Sequence, residues 1–123
     1  MARILYIDDD NDIREIAVMA LELNELFEVR SAASGASGLE IAREYTPDLI
    51  LLDVMMPGLD GPATYRLVKL DPALQQTPVA FITARTQTHQ VAELMGMGAC
   101  SVIPKPFDPM ALAGQVESLL LQC

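Results

Sequence analysis

Tryptophan is absent and His89 is the only histidine. A single His with no Cys beside it makes no zinc-type site. The two cysteines, Cys100 and Cys123, are too few for a disulfide framework and match no metal-binding spacing. Both are expected as free thiols in a reducing compartment. Basic residues are scarce: 8 Lys and Arg stand against 17 Asp and Glu, a net charge of −9. Nucleic-acid surfaces need clustered Lys and Arg, so direct nucleic-acid binding is not expected. No apolar run approaches the roughly 18 residues that span a membrane. No basic segment leads into an apolar one after Met1, so neither a secretory signal nor a membrane partner is expected. No Walker-type loop or dinucleotide fingerprint occurs.

What is present is an alternation of strand-like and helix-like segments. Hydrophobic residues make up 51% of 123 residues, enough for one α/β domain with a real core. Arg3 to Ile7 predicts a first strand. A first helix follows from about Asn11 to Leu23, with Ile13, Ile16, Ala17, Ala20 and Leu21 on one face. Phe27 to Ala32 predicts a second strand. A second helix begins near Ser34, turns Leu39 and Ala42 inward and ends before Pro47. Leu49 to Leu52 is continuously apolar, as expected of a strand buried on both faces. Asp60-Gly61-Pro62 starts a third helix that runs to about Lys69. Val79 to Ile82, then Thr88 to Met95, predict a fourth strand and helix. Ser101 to Ile103, then Pro109 to about Leu121, predict a fifth pair. Five βα units imply right-handed crossovers and a doubly wound parallel sheet. Pro104 has no N–H for a ladder, which puts the fifth strand at an edge. A single domain over residues 1–123 is expected, with no output domain in this stretch.

The polar residues fall where such a sheet binds ligands, at the carboxyl ends of its strands. Asp8, Asp9 and Asp10 follow the first strand. Asp53 follows the third, Thr83 the fourth and Lys105 the fifth. Asp10 reads as a helix cap, a role that does not require Asp8 and Asp9 as well. Two unit charges about 4 Å apart repel by on the order of 4 kcal/mol at an effective dielectric of about 20. A divalent cation is the simplest relief. Mg²⁺ suits the site because it binds one or two carboxylates and shares phosphate oxygens. Asp53 ends the most apolar strand, where a carboxylate is costly without a charge partner. It reads as a nucleophile that forms an aspartyl phosphate, or else as a third metal ligand or a helix cap. Thr83 could merely end a strand, and Lys105 could merely be solvated. Together these residues make a phosphoryl site.

These motifs resemble the receiver domain of two-component response regulators. The resemblance spans essentially the whole chain. It rests on Ile4 to Asp10, on Pro47 to Gly61 with Asp53 at its centre, on Ile82-Thr83-Ala84 and on Lys105-Pro106-Phe107. It implies a flavodoxin-like sandwich with strand order 2-1-3-4-5. It implies Asp53 as the phosphoacceptor and a histidine kinase or phosphotransfer protein as the donor. It implies Mg²⁺, or Mn²⁺ in its place, held by Asp9, Asp8, Asp53 and the main-chain carbonyl of Met55. Thr83 and Lys105 would bind the phosphoryl group, and Lys105-Pro106 would be a cis peptide. The protein would be a signalling phosphoacceptor rather than an enzyme, a cytoplasmic monomer or weak dimer. A downstream protein would read the surface of the fourth helix, fifth strand and fifth helix, including Thr86, His89, Gln90, Glu93, Met97, Val102 and Pro104. The alternative is a receiver fragment of a larger regulator or hybrid kinase.

Three positions depart from the family pattern. A Tyr or Phe often stands three residues before the Lys, and Val102 stands there in this chain. Its aromatic switch is missing, so coupling runs through loop movement or another face. Met55 and Arg85 flank the path of hydrolytic water and are poor at positioning it, which implies slow self-dephosphorylation. Two other functions are weaker. A small-molecule phosphatase usually needs an acidic residue where Met55 stands. A flavodoxin-like module would want a hydroxyl- and glycine-rich loop where Asp8, Asp9 and Asp10 would repel phosphate.

Overall fold

The computed structural model describes all 123 residues. Chain order is β1 (Ala2–Ile7), α1 (Asn11–Glu22), β2 (Phe27–Ala32), α2 (Gly35–Tyr45), β3 (Leu49–Asp53), α3 (Gly61–Leu70), β4 (Val79–Thr83), α4 (Thr88–Gly96), β5 (Ser101–Pro104) and α5 (Leu112–Gln122). The strands form one parallel sheet in order β2-β1-β3-β4-β5. That order agrees with the expected one and leaves β5 on an edge, where the missing N–H of Pro104 costs no ladder bond.

Alternate residues of each strand feed two separate cores, as a strand with both faces covered must. Leu5, Ile7, Ile50, Leu52 and Phe81 pack under α2, α3 and α4 with Leu39, Tyr65 and Leu94. Ile4, Tyr6, Leu49, Leu51, Ala80 and Ile82 pack under α1 and α5 with Ala17, Leu21, Leu112 and Val116. The central strands β3 and β4 are buried along their whole length. Burial of this kind stabilises by about 25 cal/mol per Å² of apolar surface. Ile16 is less inward than its period implied: it lies at the margin of the α1 face and is half exposed.

Helix starts follow local chemistry. Asp10 accepts from the backbone N–H groups of Asp12 and Ile13 and caps α1. Ser34 caps α2 through the Ser37 N–H, and Asp60 caps α3 through the Ala63 N–H. The last helix begins three residues later than Pro109. The Asp108 carboxylate accepts from the Met110 N–H, and the Asp108 carbonyl from the Ala111 and Leu112 N–H groups. Residues 109–111 therefore form a turn that launches α5 rather than its first turn.

The cysteines require a correction. Cys100 and Cys123 are joined in a disulfide, with Cα atoms 5.9 Å apart, inside the range a disulfide spans. Helix α5 runs back along the sheet, so the residue after it stands beside the start of β5. Spacing along the chain carries no trace of that proximity. The cysteines therefore give no argument for a reducing compartment.

One glycine fixes the loop that follows β3. A Cβ on Gly61 would stand 2.5 Å from the Asp53 carbonyl oxygen and 2.7 Å from the Val54 Cα. Backbone cannot yield as a flexible side chain does. Gly61→Ala is expected to cost about 1–3 kcal/mol in overpacking. Gly114 in α5 has nothing within 4 Å of the same position, so Gly114→Ala is expected to gain about 0.5–1 kcal/mol in helix propensity. Urea unfolding of the two variants beside the parent checks both signs.

Candidate functional site

The sheet order brings the carboxyl ends of β1, β3, β4 and β5 to one edge. Asp8 follows β1 directly and is fully buried, while Asp53 ends β3 and is 5% exposed. Lys105 follows β5. Its ammonium lies 2.8 Å from Asp8 Oδ2 and 3.2 Å from Asp53 Oδ1. One cation thus bridges two buried carboxylates. The backbone aims it, because the Lys105 N–H donates to the Thr83 carbonyl at 2.8 Å and ties the start of this loop to the end of β4. The Lys105–Pro106 peptide is cis.

The Asp8 carboxylate is held from three sides. Its Oδ1 accepts from the Asp10 N–H at 3.0 Å, and its Oδ2 accepts from both Lys105 and the Tyr6 hydroxyl, the latter also at 3.0 Å. Tyr6 entered the sequence reading only as part of an apolar strand. The signal that finds it is the two-residue period: Tyr6 and Asp8 fall on the same side of one extended segment, and a buried Tyr needs a partner for its hydroxyl.

The remaining candidates lie close by, with different engagements. Asp9 is exposed at the rim, and its carboxylate comes within 4.8 Å of those of Asp8 and Asp53. Thr83 is buried at the end of β4, and its Oγ1 accepts from the Arg85 N–H at 2.9 Å rather than touching Asp53. Met55 lies in the loop two residues past Asp53 with its side chain exposed. Arg85 is exposed and His89 lies on α4, neither one engaged with the carboxylates.

Electrostatics follow from burial and proximity. Desolvation pushes the Asp53 carboxyl up to about 6, the Asp8 charge adds to that, and Lys105 pulls the other way. Burial alone would lower the Lys105 ammonium, but Asp8 and Asp53 outweigh it and hold it above its usual range. Burial and the Asp8 charge push the Tyr6 hydroxyl far up, so it stays a protonated donor. Three carboxylates against one ammonium leave two negative charges. A single divalent cation would neutralise them, and hard carboxylate oxygens are the donors Mg²⁺ prefers. The group Asp8, Asp9 and Asp53 therefore fits such an ion.

Comparison with known proteins agrees with this geometry. The family model of the response regulator receiver domain matches residues 4–117. The chain belongs to that family. Receiver domains are signalling phosphoacceptors that bind Mg²⁺ at an acidic pocket and partner with histidine kinases. Similar curated proteins include the transcriptional regulatory protein CseB of Streptomyces avermitilis, 37% identical over 117 residues, 95% of this chain and 48% of that protein. The DNA-binding response regulator MtrA of Mycobacterium tuberculosis is 36% identical over 118 residues, 96% of this chain and 50% of its own length. The chain thus spans about half the length of the curated relatives it matches. Among solved structures, Vibrio cholerae chemotaxis protein CheY4 superposes with a TM-score of 0.88 at 29% identity, covering 97% of this chain and 98% of that one. The receiver domain of a histidine kinase from Syntrophus aciditrophicus gives 0.84 at 30% identity, covering 98% and 91%. No helix of this receiver is long and apolar enough to cross a membrane.

The raised Asp53 carboxyl fixes the sign of a pH effect. The folded state holds its proton up to about pH 6, while an unfolded Asp releases it near its ordinary pKa of about 4. Between those values the fold binds more protons than the unfolded chain, so ionising Asp53 destabilises the metal-free fold as pH rises. Thermal melts in chelator are expected to lose more stability from pH 5 to pH 7.5 in the parent than in Asp53→Asn. Equal slopes for the two proteins would refute the shift.

Proposed function

We propose that this receiver accepts a phosphoryl group on Asp53 from a phosphohistidine on a histidine kinase or phosphotransfer protein, and that the change alters a partner-binding surface. The observation that carries the reading is the pairing of buried Asp53 with both Lys105 and a neighbouring buried carboxylate, Asp8. Asp53 Oδ1 is engaged by Lys105, which leaves the other carboxylate oxygen to attack phosphorus. An O–P bond forms as the donor N–P bond breaks, and the electron pair leaves with the imidazole nitrogen. The transferred group brings new negative charge, and Lys105 is the cation within reach of it. Asp9, Asp8, Asp53 and the Met55 carbonyl would hold Mg²⁺, or Mn²⁺, which supplies charge neutralisation at the phosphoryl oxygens. Thr83 is one strand away, and a move that brings its hydroxyl to donate to a phosphoryl oxygen would carry Oγ1 away from the Arg85 N–H it now accepts from.

That move gives the signal a route. Releasing the Arg85 N–H frees the loop between β4 and α4. Helix α4 is loosely attached: Leu94 is its one buried residue, and no side chain caps its start. Elements with few buried contacts are the ones that shift. Val102 packs at the edge of the core shared with α4, so no aromatic ring relays the change and the loop itself carries it. Thr86, His89, Gln90, Glu93, Met97, Val102 and Pro104 then form the surface that a downstream protein reads.

A second reading concerns the protein as a whole. The relatives are about twice as long as this chain, and one of them is named DNA-binding. We infer a cytoplasmic receiver domain over residues 1–123, monomeric or weakly dimeric, whether it acts by itself or as the receiver stretch of a longer regulator or hybrid kinase. The net charge of −9 argues against nucleic-acid contact by these residues themselves.

Incubation with Mg²⁺ and acetyl phosphate, followed by intact mass, tests the chemistry. One phosphoryl group is expected on the parent and none on Asp53→Asn. Labelling of that variant, or of neither protein with the fold and Mg²⁺ binding intact and a histidine-kinase donor supplied, would overturn the assignment. The exposed Met55 and Arg85 side chains offer no carboxylate or amide to orient hydrolytic water. Phosphate loss from the purified protein is therefore expected to take much longer than seconds, and Met55→Asn to hasten it. A parent lifetime of seconds would refute this.

A further inference from the structure

We propose that Tyr6 is a positioning residue for the cation site: its hydroxyl fixes the Asp8 carboxylate in the orientation that a divalent cation requires. The inference rests on the phosphoacceptor reading and adds to it a residue from the core beneath the crevice.

The geometry is specific. Tyr6 is fully buried, and its ring packs in the core under α1 and α5 with Ile4, Ala17 and Leu51. The ring cannot swing away without opening that core. Its hydroxyl emerges under the crevice and donates to Asp8 Oδ2 at 3.0 Å. The same oxygen takes Lys105 at 2.8 Å, while Oδ1 takes only the Asp10 N–H. An ionised carboxylate offers about four lone-pair sites. Both sites on Oδ2 are engaged, so the remaining one lies on Oδ1. Oδ1 is therefore the Asp8 oxygen that would be left to face a cation, or a water bound to one.

The two partners of Oδ2 differ in what happens next. Lys105 also serves Asp53 and turns toward a phosphoryl group when one arrives there. Tyr6 has no such alternative. It keeps a donor on Oδ2 throughout, so the carboxylate holds its plane while the charges around it are rearranged. Groups that orient a metal-binding side chain from behind typically change metal affinity about 10- to 100-fold when removed.

The test is Mg²⁺ affinity of the full chain by calorimetry, in the parent, Tyr6→Phe, Asp8→Asn and the double variant. Tyr6→Phe keeps the ring and removes only the hydroxyl. We expect it to weaken Mg²⁺ about tenfold, at the low end of that range. In the Asp8→Asn background, where the hydroxyl no longer faces a carboxylate, the same change should alter affinity less than about twofold. Unchanged affinity in the parent background overturns the inference, as does an equal loss in both backgrounds. A parent that binds no Mg²⁺ overturns the cation site as well, whereas an unaffected Tyr6→Phe beside a binding parent overturns this inference alone. A second measurement stands if Tyr6→Phe does not fold. The chain has three tyrosines, so 3-fluorotyrosine labelling gives three ¹⁹F resonances, assigned through Tyr45→Phe and Tyr65→Phe. The Tyr6 resonance should move on Asp8→Asn and again when Mg²⁺ is added to the parent. A Tyr6 resonance indifferent to both refutes the positioning role.

Discussion

The Lys105 ammonium, set between two carboxylates that would otherwise be buried against each other, is the interaction on which the site depends. Asp8 and Asp53 sit at the ends of adjacent parallel strands because β1 and β3 pair directly. Parallel pairing brings strand ends to a common edge, so the fold itself forces the two charges together. Only a cation from the next elements along that edge relieves them. Lys105 reaches in from beyond β5, two strands away from Asp53, and is held there by the end of β4. Its single charge answers one carboxylate and leaves the other, together with Asp9, in excess. The site is therefore incomplete by construction. A divalent cation would supply the missing positive charge, and in the proposed reading that charge is what would let the site take a phosphoryl group. A site fully neutralised by its own side chains would have no reason to bind either.

That incompleteness also bears on stability. The strands that carry the acids are the most buried parts of the molecule, and their apolar packing offsets the cost of ending in charge. Leu49 to Leu52 and Val79 to Ile82 are buried throughout. Asp53 and Thr83 extend these same strands by one residue, and so inherit their rigidity. The loop after β3 is pinned by the close approach of Gly61, while the loop after β4 is tied back to its strand through the hydrogen bond from the Arg85 N–H to the Thr83 hydroxyl. The rigid side holds Asp53, and in the proposed mechanism the loosely held side is the one that would respond to its modification.

Much of this was legible in the residues. Alternating apolar runs and helical periods locate all five strands and five helices, because two-sided burial writes continuous apolar stretches and capping writes Asp and Ser at helix starts. Asp8, Asp9, Asp53 and Lys105 are legible because charge at the end of an apolar strand has no structural excuse. Three features were not. The Cys100–Cys123 bond depends on where α5 ends in space. The start of α5 depends on Asp108 taking the backbone donors of its own turn, which displaces the helix past Pro109. The primary attachment of Lys105 to Asp8, closer than Asp53, is set by loop geometry rather than by residue type.

Tyr6 shows the limit most clearly. In an apolar run a tyrosine satisfies the pattern as well as a leucine would, so its ring explains its presence and its hydroxyl goes unnoticed. The hydroxyl has to go somewhere once the ring is buried, and two residues along an extended strand on the same face is one of few places it can reach. That position is Asp8. The same burial that hides Tyr6 in the sequence denies its hydroxyl to solvent and leaves it facing a carboxylate. A polar tip on a core residue directly beneath a charged crevice is thus better read together with the crevice than with the core. The structure joins the two through a single hydrogen bond.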